Sequence, residues 1–216
     1  MPFAWSNGAE VATADEKKFT FDTPETTEAV KYWQSYFTDG IADKQPPLNS
    51  RTPNFVSGKV PMFISGPWER GPIEELGKTG FKEKYGVIPM PKQKTATSFV
   101  GGSDLVVFKT SKNRDSAWKF VQWLSDPKTQ VKFYALSTDL PSVKSAWEDP
   151  SLTGDANLAV FGKQLEDAKA PPAIASWEQV AAAFDTEMEK VAKSGLDPAA
   201  ALKTVQTKAD SIGTGS

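Results

Sequence analysis

Residues 55–69 read FVSGKVPMFISGPWE, and this stretch carries the main local signals for the fold. Gly58 and the pair Gly66–Pro67 are turn residues, and they enclose an apolar run, Val60–Ile64, that has the length of a strand. Trp68 follows the second turn directly. A tryptophan on a loop fixed by glycine and proline can present its ring to a cleft, although an isolated tryptophan is more often a core residue.

The composition is that of a soluble globular protein with one or two domains. The chain has 216 residues, of which 39% are hydrophobic and 24% are charged. Its net charge of −2 gives no electrostatic footprint for nucleic acid. No apolar run approaches the roughly 20 residues that span a bilayer, and the start does not read as a signal peptide.

The chain contains no cysteine and no histidine. This excludes histidine acid–base catalysis, thiol nucleophiles, His/Cys zinc sites and Ser-His-Asp triads, and no metal or cofactor is predicted. Seven tryptophans contribute to an aromatic share of 11%. Aromatic faces in clefts commonly bind sugars, because the C–H patches of a sugar ring pack on them.

Helix signals are frequent along the chain. Apolar residues with a period near 3.6 follow N-cap residues, three of which precede a proline at the first helical position. The predicted helices cover residues 24–39, 72–76, 115–125, 157–168, 177–194 and 198–212, with a further helix beginning at residue 127. The N-caps expected for four of them are Thr23, Asp126, Ser176 and Asp197.

Strand signals are shorter. Besides Val60–Ile64, strands are predicted at residues 86–91 and 99–108, the second interrupted by Gly101–Gly102. The run Leu105–Phe108 is apolar on both faces, as in a parallel strand covered by helices. Residues 147–155 are expected to form a loop. Strands mixed with amphipathic helices indicate α/β layers.

Four blocks, taken in order, resemble a known family. They are WSNGA at residues 5–9, FVSGKVPMFISGPW at 55–68, the pair Gly101–Gly102 followed by NRDSAWKFVQWL and DPKTQ, and SGLDPAAAL near the end. Ala9 and Pro61 depart from the family's usual glycine and alanine. In this order the blocks resemble the extracellular solute-binding proteins of carbohydrate ABC transporters, the group that includes maltose-binding protein.

The resemblance implies an α/β, type II periplasmic-binding-protein-like fold with two lobes. Family members are about twice as long, so the fold is expected to be incomplete and to lack the first half of the N-terminal lobe. Residues 1–100 would belong mainly to the C-terminal lobe, 101–150 to the N-terminal lobe, and 151–212 again to the C-terminal lobe. Residues 213–216 would form a disordered tail. Uncovered apolar faces would favour dimerisation, swapping or poor solubility.

The resemblance also implies a non-catalytic role. The family binds an oligosaccharide in a cleft between lobes and delivers it to the membrane subunits of an ABC permease. The location would be extracellular or periplasmic, with an N-terminal lipid anchor or signal that this chain does not contain. A missing N-terminal segment or a second copy of the chain would cover the exposed faces.

Nine residues are candidates for ligand contact on this basis. Trp68 aligns with a family tryptophan that stacks on sugar. Asp104 lies between the glycine pair and an apolar run, where an unpaired buried carboxylate would be costly, and this favours a contact with the ligand. Ordinary alternatives remain, such as a helix-start role for Glu69, a cationic partner for Asp104 and a turn role for Asn7. The full set is Trp5, Asn7, Trp68, Glu69, Gly101, Gly102, Ser103, Asp104 and Trp177.

Two other functions remain open. A glycoside hydrolase could use two carboxylates, such as Glu69 with Asp104 or with Glu178, although no motif or spacing requires such a pair. A binding protein with the same fold could take a peptide or a polyamine instead of a sugar.

Overall fold

Helix α2, Pro24–Thr38, shows how the local signals operate in the computed structural model, which describes residues 1–215. The Thr23 hydroxyl accepts a hydrogen bond of 3.2 Å from the Thr26 amide, so the predicted N-cap is confirmed. The helix ends before Gly40, whose φ of +71° lies in the left-handed region that glycine adopts without strain.

The other helices and strands follow in chain order. The helices are α1 Pro2–Ser6, α3 Arg51–Val56, α4 Arg70–Gly77, α5 Arg114–Leu124, α6 Pro127–Ser137, α7 Pro150–Thr153, α8 Ala156–Gln164, α9 Trp177–Ser194 and α10 Pro198–Ile212. Short 3-10 turns lie at Pro67–Glu69, Phe81–Glu83, Lys144–Glu148 and Leu165–Asp167. Strands β1, Ser98–Phe99, and β2, Ala168–Lys169, pair in parallel with Ser98 opposite Ala168.

The chain divides into two compact units. Among the described residues, unit 1 comprises 1–46, 90–101 and 167–215. Its core forms where α9 and α10 pack together with the segment that precedes α2. The stripes predicted for α9 and α10 are confirmed, because Val180, Val191, Leu202, Val205 and Ala209 are fully buried.

Two glutamine side chains fasten the elements of unit 1 to one another. Gln206 on α10 accepts a hydrogen bond of 2.7 Å from the Phe21 amide and donates one of 2.9 Å to the Phe19 carbonyl. Gln34 on α2 donates to the carbonyls of Val191 and Leu196 at the end of α9. These bonds satisfy backbone groups before α2 and at the end of α9, which would otherwise be costly to bury.

Unit 2 comprises Pro47–Pro89 and Gly102–Glu166 and has a much smaller core. Among its described hydrophobic residues, the buried ones are Ile73, Ala146, Leu152 and Leu158. Many large apolar side chains of this unit are exposed: Leu48, Met62, Ile64, Trp68, Leu76, Ile88, Leu105, Val106, Phe108, Trp118, Phe120, Trp123, Phe133, Leu136 and Leu165. The apolar exposure expected from the sequence is therefore present.

A charged cluster contributes to the interior of unit 2. The Arg70 guanidinium donates to the Asp155 carboxylate and, at 3.3 Å, to the Tyr134 hydroxyl. Burial raises the pKa of Asp155, but the hydrogen bond from Arg70 and the amides of α8 outweigh it and hold the pKa below its usual value. The Arg70 side chain is largely buried.

The prediction of three strands in the middle of the chain is wrong, because these segments do not form regular strands. The backbone is irregular at Val60–Ile64, residues 86–91 and Leu105–Phe108. Of the predicted strand 99–108 only Phe99 pairs in a ladder, together with the preceding Ser98. A strand is defined by hydrogen bonds to a neighbouring strand, and within residues 1–215 these segments have no such neighbour. A strand-like sequence does not supply that neighbour.

Smaller corrections have local causes. Residues 147–155 are not a loop, because Asp149 caps α7 through the Ser151 amide at 2.9 Å. Helix α8 ends at Gln164, before the predicted Ala168. Ser176 does occupy the N-cap position of α9, but its hydroxyl makes no capping bond and donates instead to the Gly213 carbonyl.

The two units also bear on the predicted lobes. A unit boundary falls at Gly101, close to the predicted one, whereas residues 47–89 group with residues 102–166. The assignment of segments to the lobes of a longer protein stays a prediction. Within the predicted tail, Gly213 is held by Ser176 and Ser216 lies outside the described residues.

Candidate functional site

Trp68 lies on a short 3-10 turn that its own sequence creates. Pro67 occupies the first helical position, and the Glu69 amide donates a hydrogen bond of 3.2 Å to the Gly66 carbonyl. The six-membered ring of the indole lies where a Cβ of residue 66 would stand, so only glycine leaves room for it. The Trp68 side chain is 55% exposed. It is therefore an aromatic surface available to a ligand.

Glu69 is buried in unit 2, unlike the neighbouring Trp68. One carboxylate oxygen lies 3.1 Å from the Arg51 guanidinium, and the other accepts a hydrogen bond of 2.9 Å from the Thr52 hydroxyl. Both partners belong to the first turn of α3. The carboxylate therefore joins two segments of the chain, a role that its position beside Trp68 did not suggest.

The segment Gly101–Asp104 is exposed and has no regular structure. An added Cβ at Gly101 would meet the Phe99 ring, whereas the space beside Gly102 is open. Asp104 lies in solvent and forms no ion pair within residues 1–215, so its role as a ligand contact stays a prediction. Ser103 and Asp104 keep free polar groups that can bond to hydroxyls.

Trp5 and Asn7 are structural residues of unit 1. The block WSNGA forms α1 and its end, with Gly8 at a φ of +83°, and the Trp5 side chain is only 3% exposed. The Asn7 amide donates to the Glu25 carbonyl at 2.9 Å and to the Glu28 carboxylate at 3.1 Å, which ties α1 to α2. The structure favours packing over ligand contact for both residues.

Trp177 begins α9 and is partly buried. Its ring lies 6.5 Å from that of Phe19, with a tilt of 32°, and packs on the core of unit 1. Two further tryptophans, Trp118 and Trp123, are exposed on α5, while Trp147 donates from its indole nitrogen to the Pro141 carbonyl at 3.0 Å. None of these other rings is both exposed and held on a glycine–proline turn, as Trp68 is.

The candidates divide between the units. Trp5, Asn7, Gly101 and Trp177 belong to unit 1, and the other five belong to unit 2. Within unit 2 the structure brings Trp68 and Glu69 together with two residues that sequence reasoning missed, Arg51 and Thr52. No periodicity or motif signals this contact, because α3 lies 17 residues before Glu69 in the chain.

Neither a metal-binding cluster nor a membrane-spanning helix is found in the part of the chain that the structure describes. No group of acidic side chains is arranged to hold a metal ion. No described helix is both long and apolar enough to cross a membrane.

Known proteins resemble this chain over nearly its whole length. Residues 2–160 match the family described as bacterial extracellular solute-binding protein. A binding protein of Brucella abortus is 32% identical over 215 residues, which cover 96% of this chain and 51% of that protein. The maltotriose-binding protein of Pyrococcus abyssi is 30% identical over 179 residues, covering 76% and 37%.

Solved structures agree with these matches. The sugar-binding protein MalE from Xanthomonas citri superposes with a TM-score of 0.87 at 28% identity, and the match covers 98% of this chain and 54% of that one. The chain thus spans about half the length of the curated relatives it matches.

Proposed function

The chain belongs to the family of bacterial extracellular solute-binding proteins, and on this premise we propose that it acts in sugar uptake as the substrate-binding component of an ABC importer. The predicted family and the predicted α/β, type II periplasmic-binding-protein-like fold are confirmed by the same matches. A relative that binds maltotriose and a structural neighbour that binds sugar support an oligosaccharide as the ligand.

The observation that carries the proposal is the exposed indole of Trp68 on its fixed turn. A sugar ring presents C–H groups on its face and hydroxyls at its edge, so it needs an apolar plane flanked by hydrogen-bonding groups. Ser103 and Asp104 would supply such groups from the side chain, and Gly101 and Gly102 from the backbone. Trp177 is a candidate for a second stacking contact.

A hydrolytic role is less well supported than a binding role. Both oxygens of Glu69 are engaged by Arg51 and Thr52, and Asp104 lies on irregular backbone in solvent. A glycosidase needs an acid and a base or nucleophile held at a set separation on either side of the scissile bond. The relatives are binding proteins, and we propose that this chain likewise binds without catalysing a reaction.

Binding and cleavage can be separated in one set of measurements. We expect calorimetric titration to show saturable binding for at least one of the maltose-, xylose-, cellobiose- or trehalose-type oligosaccharides. Chromatography of the same mixtures should show no new reducing ends. Cleavage that disappears in Glu69→Gln would refute the binding role, and binding of peptides or polyamines with no sugar bound would refute the assignment of the ligand.

The location and the transport partner follow as part of the same proposal. The family is extracellular, and we propose delivery of the bound sugar to the membrane subunits of an ABC permease. Attachment by an N-terminal lipid anchor or export by a signal peptide would place the protein outside the cytoplasmic membrane. Fractionation of producing cells tests this, since recovery of the natural protein in the cytosol would contradict it.

A further inference from the structure

The turn that carries Trp68 has little stability of its own. It spans three residues before α4 begins at Arg70, and 3-10 hydrogen bonds have poorer geometry than those of an α-helix. Pro67 restricts one backbone angle at its start and the bond from the Glu69 amide to the Gly66 carbonyl closes the turn, but these backbone contacts leave the Glu69 side chain unrestrained. The side chain of Glu69 connects the turn to the start of α3, where it contacts Arg51 and Thr52.

We propose that Arg51, Thr52 and Glu69 are positioning residues that hold the Trp68 indole ready for a ligand. Because this role presupposes the proposed function, it assigns Glu69 to the support of the stacking ring and not to direct contact with sugar hydroxyls. Trp68 is the adjacent residue, so any rotation of the turn that broke the carboxylate contacts would also move the indole.

The geometry of the three residues supports this assignment. Each carboxylate oxygen of Glu69 has a partner. Oε1 lies 3.1 Å from the guanidinium nitrogen of Arg51, and Oε2 lies 2.9 Å from the hydroxyl oxygen of Thr52. Glu69 is buried, and hydrogen bonds to a charged group are stronger than those between neutral groups. An ion pair at one oxygen and a hydrogen bond at the other together restrict the orientation of the carboxylate, whereas a single contact would allow it to rotate.

Arg51 is itself held in place. Its guanidinium lies 5.8 Å from the centroid of the Phe63 ring, and Phe63 packs edge-to-face on Phe55 of α3 at 5.0 Å. On the opposite side of the turn, Gly66 leaves only enough room for the indole. The ring is therefore limited by α3 through the carboxylate and by the backbone of Gly66.

A preorganised ring saves the cost of ordering it when the ligand binds. Loss of one hydrogen bond to the Glu69 carboxylate should weaken sugar binding about tenfold, the size expected for a hydrogen bond to a charged group. This effect should depend on Trp68. If Glu69 contacted the sugar directly, the effect would be independent of Trp68.

The first experiment needs no ligand. The protein is labelled with 5-fluorotryptophan, which gives one fluorine resonance for each of its seven tryptophans, and Trp68→Phe identifies the resonance of Trp68. Thr52→Val removes the hydroxyl at nearly constant shape, and Thr52→Ser is the matched control that keeps it. Glu69→Gln removes the charge, and Gly66→Ala serves as the reference for a displaced ring.

We expect Thr52→Val and Glu69→Gln to shift or broaden the Trp68 resonance in the direction of Gly66→Ala. Thr52→Ser should leave it unchanged. The resonances of Trp5 and Trp147 report whether each unit remains folded, so a loss of folding is distinguished from a displaced ring. A Trp68 resonance that is unchanged in both Thr52→Val and Glu69→Gln would overturn the proposal.

The second experiment is a double-mutant cycle of sugar affinity. Thr52→Val should raise the Kd about tenfold in the parent and should have no effect in a Trp68→Ala background. An equal effect in both backgrounds would show that Glu69 contacts the sugar directly, and would overturn the positioning role. If the sugars bind nowhere but the ligand-free spectra change as expected, the proposed function fails and the positioning of Trp68 stands.

Discussion

Replacement of Trp68 by alanine tests the stacking surface most directly, and its effect can be worked from the structure. The side chain is 55% exposed, so about 140 Å² of a tryptophan's area is free, and a sugar that covers half of it removes about 70 Å² from water. At about 25 cal/mol per Å², this corresponds to about 1.7 kcal/mol, or nearly a 20-fold rise in Kd.

Calorimetric titration with maltotriose measures this effect. Trp118→Ala is the matched control, because Trp118 is 54% exposed and lies on α5 of the same unit. It should change Kd less than about twofold, while Trp68→Phe should retain part of the affinity. Circular dichroism melting should be nearly unchanged in all three, since these rings are exposed. An equal loss in Trp68→Ala and Trp118→Ala, or no loss in the first, would refute the stacking role.

Three further predictions concern stability and association. Leu202→Ala should lower the free energy of unfolding by about 2–5 kcal/mol, because the side chain is fully buried, whereas Leu136→Ala should change it by less than about 0.5 kcal/mol in urea titrations. Hydrogen bonds from Lys190 and Lys208 hold the pKa of Glu187 below its usual 4.5, so this contribution to stability is present above that pH and is lost as the pH falls through the lowered pKa. The fall in melting temperature on acidification should therefore be smaller in Glu187→Gln, and an unchanged pH profile would contradict this. The exposed apolar residues of unit 2 should cause self-association in sedimentation experiments, and Val106→Lys should reduce it; a parent chain that stays monomeric at high concentration would contradict this.

The helices could be predicted because their signals are local. Thr23, Asp126 and Asp197 each accept a hydrogen bond from an amide three residues ahead, and proline follows each of them. All the atoms involved lie within one turn of chain. The same is true of Gly195, whose left-handed backbone ends α9 where predicted.

The strands could not be predicted in the same way, because pairing is not local. Leu105–Phe108 has the composition of a buried parallel strand, yet a strand exists only where another segment offers its hydrogen-bonding groups. The pair that does form, Ser98 with Ala168, joins residues 70 positions apart and covers only two residues of each strand. Composition indicated the tendency to be extended and carried no information about the partner.

The candidate site shows the same division. Local chemistry and resemblance predicted that Trp68 would stand on a rigid turn, and the turn is present. The environment of Glu69 could not be predicted, since it depends on the contact with α3. The burial of Trp5 could not be predicted for a related reason, because Asn7 fastens α1 to residues of α2 that lie 18 and 21 positions further along the chain.

Helix α5 and helix α9 have similar sequence patterns, yet their apolar side chains differ in burial. The apolar residues of α5 recur with helical spacing, as those of α9 do, and the helix forms where predicted. Yet Phe120 and Trp123 remain exposed, with their rings stacked at 5.8 Å, whereas Val180 and Val191 of α9 are fully buried. Amphipathic spacing is sufficient to form a helix, but burial of its apolar face requires a second surface. In unit 1, α10 provides that surface. In unit 2 the apolar side chains of α5 are free to pack on a partner, which is the physical basis of the self-association expected above.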